Sequence, residues 1–212
     1  MQFLKENKKL IFAIFLLPFF LFYLDGHLNG WIRDFGEKRL YINSLLDSVD
    51  HLINFLSHGT TLLAIACVLL LCGKLFNKRL YEVGKSLVIS FVFSGVVVQI
   101  LKHIAGRGRP RLLDNLDFIG PTLKSGYDSF PSGHTAVAFC MAYVLAQHFP
   151  KYKVIFYLFA VIVGFERFED AAHFPSDVLA GAILGVIVAK LLSIKIINYV
   201  SQQNAGDNNP AT

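Results

Sequence analysis

The sequence has few cysteines and few charged residues. Only 17% of its 212 residues are charged, and its three cysteines, Cys67, Cys72 and Cys140, all lie within apolar runs. None of them forms a CxxC pair or stands at metal-ligand spacing from a histidine, so we expect neither a disulfide framework nor a zinc site. A carboxylate cluster suited to magnesium is also lacking. The sequence therefore predicts a protein that uses no metal and no other cofactor.

Apolar residues are abundant instead. They make up 54% of the chain, and the mean hydropathy is +0.52. A membrane-spanning helix needs about 20 largely apolar residues, and candidate runs lie near 9–25, 58–76, 86–105, 134–149, 154–172 and 177–197. We therefore predict an all-α, polytopic bundle of six transmembrane helices, forming one integral membrane domain over residues 1–200. The polar, aperiodic segment 201–212 is expected to be a disordered cytoplasmic tail.

The positive charges are distributed as in a membrane protein. The net charge is +5. Many of the basic residues lie in alternate connections between the apolar runs: Lys5, Lys8, Lys9, Lys74, Lys78, Arg79, Lys85, Lys151 and Lys153. By the positive-inside rule these connections are cytoplasmic, and the others face outward. We expect an integral membrane protein whose outward loops face the periplasm of a bacterial inner membrane or another exoplasmic space, and no nucleic-acid partner.

Helical periodicity marks two further features. Apolar residues recur at intervals of three and four over residues 37–56, which predicts an outward-facing amphipathic helix. This helix would lie in the membrane–water interface or pack on the mouth of the bundle, and the sequence favours neither. In the last apolar run Asp177 is followed at four-residue intervals by Gly181, Gly185 and Ala189. That small-residue stripe predicts the close approach of another helix.

The first of three polar clusters in the outward segments is strongly basic. The segment "KHIAGRGRPR" contains Lys102, His103, Arg107, Arg109 and Arg111. Its glycines and proline allow tight turns, and several cations folded around one anion would bind phosphate. A simpler alternative is that the cluster only contacts lipid headgroups.

The second cluster opens the fourth apolar run. Pro131 precedes Ser132, Gly133 and His134, and a helix that begins there presents free N–H groups to an anion. Ser132 would cap the helix or bond phosphate, and His134 would supply an acid or base. The alternative is a purely structural segment in which Ser132 caps the helix and His134 lies in an interface.

The third cluster lies in "ERFEDAAHFPSDVLAG" and contains Arg167, His173 and Asp177. Pro175 suits the first turn of a helix. A spacing of four residues can bring the Asp177 carboxylate to one nitrogen of the His173 ring, which leaves the other nitrogen free to attack. Arg167 would then hold an anion. Each residue alone fits a structural ion pair, but three such clusters on one membrane face indicate a functional site.

These clusters resemble the motifs of the type 2 phosphatidic acid phosphatase family, which also includes glucose-6-phosphatase-like enzymes and vanadium haloperoxidases. Three motifs match in order: Lys102-x6-Arg109-Pro110, Pro131-Ser132-Gly133-His134 and Arg167-x5-His173-x3-Asp177. The resemblance implies that His173 is the nucleophile that forms a phosphohistidine, that Asp177 orients it, and that His134 protonates the leaving group. It implies that the phosphoryl oxygens are held by Lys102, Arg109, Ser132, Gly133 and Arg167.

The sequence departs from the family at one position. The third motif usually begins Ser-Arg, whereas this chain has Glu166 before Arg167. The carboxylate would repel substrate unless it turns away or pairs with a nearby arginine.

The resemblance implies an integral membrane lipid phosphatase that acts on a phosphate monoester or pyrophosphate. The expected partners are a phosphorylated membrane lipid and the bilayer. A phosphotransferase that passes the same phosphate to another lipid stays open, as does an enzyme for a soluble phosphate. A transporter would carry its charges near the midplane rather than at one surface.

Overall fold

The computed structural model describes residues 7–28, 30, 52, 54–55, 58–110 and 118–207, with side chains up to Ser193. Its helices are α1 (Lys8–Phe19, continued by a π-helical segment, Phe20–Leu24), α2 (Gly59–Phe76), α3 (Lys78–Ala105), α4 (Gly133–His148), α5 (Lys153–Glu169) and α6 (Pro175–Asp207). A short 3₁₀ turn, Pro150–Tyr152, joins α4 to α5. Apart from one isolated bridge between Arg107 and Phe118, these residues form no β-structure. The predicted all-α fold is confirmed.

Four of these helical segments are long and apolar enough to cross a membrane: Lys8–Leu28, Gly59–Phe76, Lys78–Ala105 and Pro175–Ser193. α4 and α5 are shorter, with 16 and 17 residues. The chain is thus an integral membrane protein, but the predicted number of six spans is not confirmed.

Two predictions fall wholly or partly outside the described residues. Most of the amphipathic segment 37–56 is not described. α6 continues to Asp207, into the tail for which the sequence predicts disorder, and residues 208–212 are not described.

α4 lies at the centre of the bundle and contacts α3, α5 and α6. Val137 and Cys140 on one side of α4 belong to a core shared with α2, α3 and α6. Ala138 and Ala142 pack against α5 on the other side. This apolar centre keeps the first turn of α4, and the polar residues around it, in a fixed position.

The small-residue stripe of α6 makes the contact with α4 very close. A Cβ atom added to Gly181 would lie 2.5 Å from the Ser132 carbonyl oxygen, and one added to Gly185 would overlap the backbone of Ala136. A larger residue at either position would push the helices apart. The predicted close approach is therefore present.

The connection between α2 and α3, together with Lys74, Lys78, Arg79 and Lys85 around it, forms a lysine-rich hairpin. The hairpin and the three polar clusters lie at opposite ends of the bundle. Asn77 caps α3 by accepting hydrogen bonds from the N–H groups of Arg79 (2.9 Å) and Leu80 (3.2 Å). Arg79 Nη2 donates to the carbonyl oxygen of His148, the last residue of α4, at 2.8 Å. The C-terminal end of α4 thus lies beside the hairpin, and its N-terminal end lies at the far end.

Candidate active site

The loop after α3 brings the first polar cluster against the second. α3 ends at Gly106, whose φ of 58° is left-handed and whose missing Cβ makes room for the Gly120 carbonyl. The two arms of the loop are then joined by hydrogen bonds from Arg109 N to Gly126 O (3.0 Å) and from Ser129 N to Arg107 O (3.0 Å). As a result Lys102 and Arg109 lie beside the start of α4.

His173 is buried, and its hydrogen bond identifies which ring nitrogen carries the proton. Nδ1 lies 2.8 Å from the carbonyl oxygen of Ser129. Since a carbonyl only accepts, Nδ1 must donate, so Nε2 of the neutral ring keeps its lone pair. Burial lowers the pKa of His173 below its ordinary value, although the nearby Asp177 carboxylate opposes this effect. The neutral ring, which is the nucleophilic form, is therefore favoured at neutral pH.

Asp177 supports His173 less directly than the four-residue spacing predicts. Its Oδ2 is 3.8 Å from His173 Nδ1, which is too far for a hydrogen bond. Oδ2 instead accepts hydrogen bonds from Ser129 Oγ at 2.5 Å and from the N–H of Phe174 at 2.9 Å. Asp177 thus holds the two chain segments on either side of the imidazole. Ser129, which was not predicted from the sequence, connects Asp177 to His173.

Arg107 is not part of an anion-binding cluster, and that sequence-based expectation is wrong for this residue. Its side chain is 1% exposed, and Nη1 donates to Asp177 Oδ1 at 2.6 Å. His103 also differs from the expectation, because it is exposed and its Nδ1 contacts the carbonyl oxygen of Thr122 at 3.2 Å. Arg111 lies outside the described residues.

Lys102 and Arg109 share a carboxylate partner. Arg109 donates from Nε (2.9 Å) and Nη2 (2.7 Å) to the two oxygens of Asp128, and Lys102 Nζ donates to the Asp128 carbonyl at 2.8 Å. The hydrogen bonds from Arg109 lower the pKa of Asp128 to about 2. Asp128 was not predicted from the sequence. Its position, four residues before Ser132 of the second motif, is the signal that could have identified it.

Arg167 lies at the end of α5 and is bound to acidic neighbours. Its Nε and Nη2 donate to the carboxylate of Glu166, and Nη2 also lies 3.2 Å from Asp170 Oδ2. Both Arg167 and Glu166 are buried. Glu166 therefore pairs with a nearby arginine rather than turning away from the site.

The second motif begins α4 as predicted. Ser132 is the N-cap residue, but its Oγ contacts Thr135 Oγ1 at 2.9 Å rather than a backbone N–H. Its own N–H donates to the Asp177 carbonyl at 3.0 Å, which ties the start of α4 to α6. A Cβ atom added to Gly133 would meet the side chains of Val98 and Lys102 at ordinary van der Waals distances.

His134 is the second histidine of the site. Its Nε2 is buried and has no hydrogen-bond partner among the described residues. A proton on this ring would be repelled by the nearby cations Arg167 and Lys102. The ring of His58, which precedes α2, meets the His134 ring edge-on at 5.3 Å between centroids. His58 was not identified from the sequence.

Together these residues can bind an anion and transfer a group from it. The positive charges of Lys102 and Arg109 lie close enough to act on His173, and that of Arg167 lies close enough to act on His134. The three cations can balance the charge of a phosphoryl group, while one histidine offers a lone pair and the other an uncommitted nitrogen.

Comparisons with known proteins identify the family of this chain. A model of the PAP2 superfamily matches residues 84–200. The undecaprenyl-diphosphatase of Sulfolobus acidocaldarius is 30% identical over 199 residues, which cover 89% of this chain and 92% of that protein. The lipid A 1-phosphatase of Rhizobium etli is 40% identical over 106 residues, which cover 49% of this chain and 46% of that protein. The chain thus spans about half the length of this curated relative.

A solved structure extends the similarity to the fold. A transmembrane PAP2-type phosphatidylglycerolphosphate phosphatase from Bacillus subtilis superimposes with a TM-score of 0.63 and 26% identity, covering 88% of this chain and 96% of that one. The family model covers more than half of the chain, and the archaeal relative matches almost all of it. The chain belongs to the PAP2 superfamily.

Proposed function

We propose that this protein is a membrane lipid phosphatase that hydrolyses a phosphate monoester or pyrophosphate through a phosphohistidine. The observation that carries the proposal is the hydrogen bond from His173 Nδ1 to the Ser129 carbonyl, at 2.8 Å. It leaves Nε2 as a nucleophile in a site with three cations and a second histidine. The names of its relatives, which include phosphatases of lipid A and undecaprenyl diphosphate, favour a phosphorylated lipid as substrate.

In the first chemical step, His173 Nε2 attacks phosphorus and the bond from phosphorus to the leaving oxygen breaks. His134 donates a proton to that oxygen, so that the lipid leaves as an alcohol, or as a lipid phosphate if the substrate is a pyrophosphate. Lys102, Arg109 and Arg167, together with Ser132 and the backbone N–H of Gly133, hold the equatorial oxygens as charge builds on them. Asp177 keeps Ser129, and hence the His173 ring, in place.

In the second step, His134 takes a proton from water, and the resulting nucleophile attacks the phosphohistidine. The P–N bond breaks, inorganic phosphate leaves, and His173 Nε2 regains its lone pair. Microscopic reversibility gives His134 both roles, acid in the first step and base in the second. A lipid hydroxyl in place of water would make the enzyme a phosphotransferase.

Phosphate release from purified protein tests the proposal. The assay would offer phosphatidic acid, phosphatidylglycerol phosphate, a polyprenyl pyrophosphate and lipid A phosphates, with His173→Ala as the control. We expect release from at least one lipid, no release by the variant, and an unchanged rate in EDTA. Failure with every lipid, or release that survives in His173→Ala, would contradict the proposal. Labelled phosphate that appears in a second lipid instead of in solution would identify a phosphotransferase.

The orientation proposed for the protein places the site in the periplasm of a bacterial cell. This rests on the positive-inside rule, because the lysine-rich hairpin lies at the end of the bundle opposite the site. In a chain whose own cysteines are replaced by serine, Leu123→Cys should react with an impermeant thiol reagent in intact cells. Lys78→Cys, an exposed position in the hairpin, should react only after permeabilisation. The reverse labelling pattern would overturn this orientation.

A further inference from the structure

Arg107 is a buried cation at the centre of the bundle's polar end. It is 1% exposed, and its guanidinium lies between the rings of Phe174 (4.2 Å) and Phe118 (4.9 Å). A charge enclosed in this way is costly unless carboxylates pair with it. Its Nη1 and Nη2 groups are paired, whereas Nε is buried with no hydrogen-bond partner among the described residues. Its partners therefore determine where it sits.

Two carboxylates from distant parts of the chain provide that pairing. Arg107 Nη1 donates to Asp177 Oδ1 at 2.6 Å, and Nη2 donates to Asp25 Oδ2 at 2.7 Å. Asp25 lies near the end of the first membrane segment and is completely buried. A role for Asp25 could not be predicted from the sequence, because an isolated aspartate at the end of an apolar run belongs to no motif.

Asp25 is also bound to the first turn of α6. Its Oδ1 accepts a hydrogen bond from Ser176 N at 3.1 Å, its Oδ2 accepts one from Ser176 Oγ, and Arg107 Nη1 donates to that hydroxyl at 2.7 Å. Asp177 is the next residue of the same turn. Asp25 thus contacts both the cation that holds Asp177 and the backbone that carries it.

The contacts continue without a break to the nucleophile. Asp177 uses Oδ1 for Arg107 and Oδ2 for Ser129 Oγ, and the Ser129 carbonyl accepts the proton of His173 Nδ1. In Asp25→Asn one carboxylate oxygen becomes an NH2 group, which cannot accept a hydrogen bond. A buried donor, either Arg107 Nη2 or the Ser176 N–H, would then lose its acceptor, and the guanidinium or the turn that carries Asp177 would have to move. Any such movement would displace Asp177 and, through Ser129, tilt the imidazole.

We propose that Asp25 and Arg107 are positioning residues for His173, so that the first membrane segment completes the catalytic site from outside the three family motifs. This inference rests on the proposed function for its kinetic meaning. It predicts a loss in the chemical step rather than in phosphate binding, because neither residue directs a donor at the phosphoryl site. A shift of about 1 Å in a reacting group can cost on the order of a hundredfold in rate.

The test compares Asp25→Asn with Asn7→Ala. Lys190 Nζ donates to Asn7 Oδ1 at 2.5 Å, so Asn7→Ala also removes a polar contact between the first membrane segment and α6. This contact lies near the other ends of the apolar spans Lys8–Leu28 and Pro175–Ser193. We expect Asp25→Asn to lower kcat by about tenfold to a hundredfold with KM within about twofold of wild type. Asn7→Ala should retain wild-type kcat. Equal losses in the two variants would show that the effect is general helix docking and would overturn the proposal.

A double variant separates positioning from a general loss of structure. If Asp25 acts through Asp177, then Asp25→Asn should lower kcat by less than about threefold when Asp177 is already Asn, because coupled residues are not additive. Multiplicative losses would contradict the coupling. Should Asp25→Asn not fold, Asp25→Glu keeps the charge but moves it by one methylene, and we expect an intermediate kcat; wild-type kcat in that variant would also overturn the proposal.

Vanadate binding gives a readout that does not depend on turnover. Vanadate mimics the five-coordinate phosphoryl centre, and a displaced His173 ring should weaken its binding about tenfold in Asp25→Asn but not in Asn7→Ala. A wild-type protein that hydrolyses none of the lipids but shows this difference would contradict the proposed function and leave the positioning role supported. An active wild-type enzyme with unaltered vanadate binding and kcat in Asp25→Asn would contradict the positioning role alone.

Discussion

The inner and outer halves of the site hold their charges differently. In the inner half, His173, Asp177 and Arg107 are all almost completely buried and bonded to one another or to Ser129. In the outer half, two of the carboxylate partners are more open: the side chains of Asp128 and Asp170, which pair with Arg109 and Arg167, are 39% and 35% exposed. The third, Glu166, also pairs with Arg167 and is buried. The outer partners occupy donors that also suit phosphate oxygens.

This difference indicates that the two halves of the site have different roles. The inner half gains precision from fixed hydrogen bonds, because any buried partner that moved would leave a donor or acceptor unsatisfied. The outer half exchanges partners at lower cost, since half-exposed carboxylates can be solvated when a phosphate takes their place. Substitutions in the inner half should therefore affect kcat, and those in the outer half should affect KM.

The largest expected effect is that of removing the inner nucleophile. His173→Ala should lower kcat by at least about 10⁴-fold, since loss of a nucleophile removes the covalent route. It should also abolish the acid-labile phosphoenzyme in rapid-quench experiments, whatever the leaving group. A wild-type level of phosphoenzyme in this variant would exclude His173 and direct attention to His134 or His58.

His134 lies where the two halves meet. The effect of replacing it on the rate should depend on the leaving group of the substrate. His134→Ala should lower the rate of the first step by about 10²–10⁴-fold for an alkyl phosphate, because the alkoxide then leaves unprotonated. With p-nitrophenyl phosphate, whose leaving group has a low pKa, the rate of phosphoenzyme formation should be restored to within about tenfold of wild type. Equal losses with both substrates would contradict the role of general acid.

The sequence allowed most of the outer half of the site and the all-α fold to be predicted. Apolar runs identify the helices, and a basic residue or a histidine near the end of such a run is visible without knowledge of the contacts. Lys102, His134 and Arg167 could therefore be found from pattern and motif, as could His173 of the inner half, and all four lie at one end of the bundle.

The inner network could not be predicted in the same way. Arg107 is indistinguishable by type from Arg109 in a run of basic residues, and only the turn at Gly106 directs one inward and the other toward Asp128. Asp25 pairs with a residue 82 positions away in the chain. The four-residue spacing of His173 and Asp177 placed them correctly, but it could not reveal that Ser129 stands between them.

In the outer half, Asp128 should affect binding more than chemistry. Asp128→Asn removes a carboxylate that occupies two donors of Arg109, so phosphate no longer has to displace an ionised competitor. We expect KM for the phosphorylated lipid to fall by up to about tenfold with kcat within about threefold of wild type. A fall in kcat with unchanged KM would place Asp128 with the inner half and break the comparison.

The smallest effect concerns acid stability, and it also distinguishes the two halves. The pKa of Asp128 is about 2 in the folded protein, below its ordinary value of 3.8. Its ionised form therefore stabilises the fold above pH 4, and this stabilisation is lost as the pH falls from about 4 to 2. Solvent screens the partly exposed pair, so we expect the fall in Tm between pH 6 and pH 3 to be only about 1–2 °C smaller in Asp128→Asn than in wild type. Thermal unfolding in detergent at the two pH values measures this difference. A fall several degrees smaller would mean that the Asp128–Arg109 pair is as tightly held as the buried network, and the outer half would then not be the exchangeable part of the site.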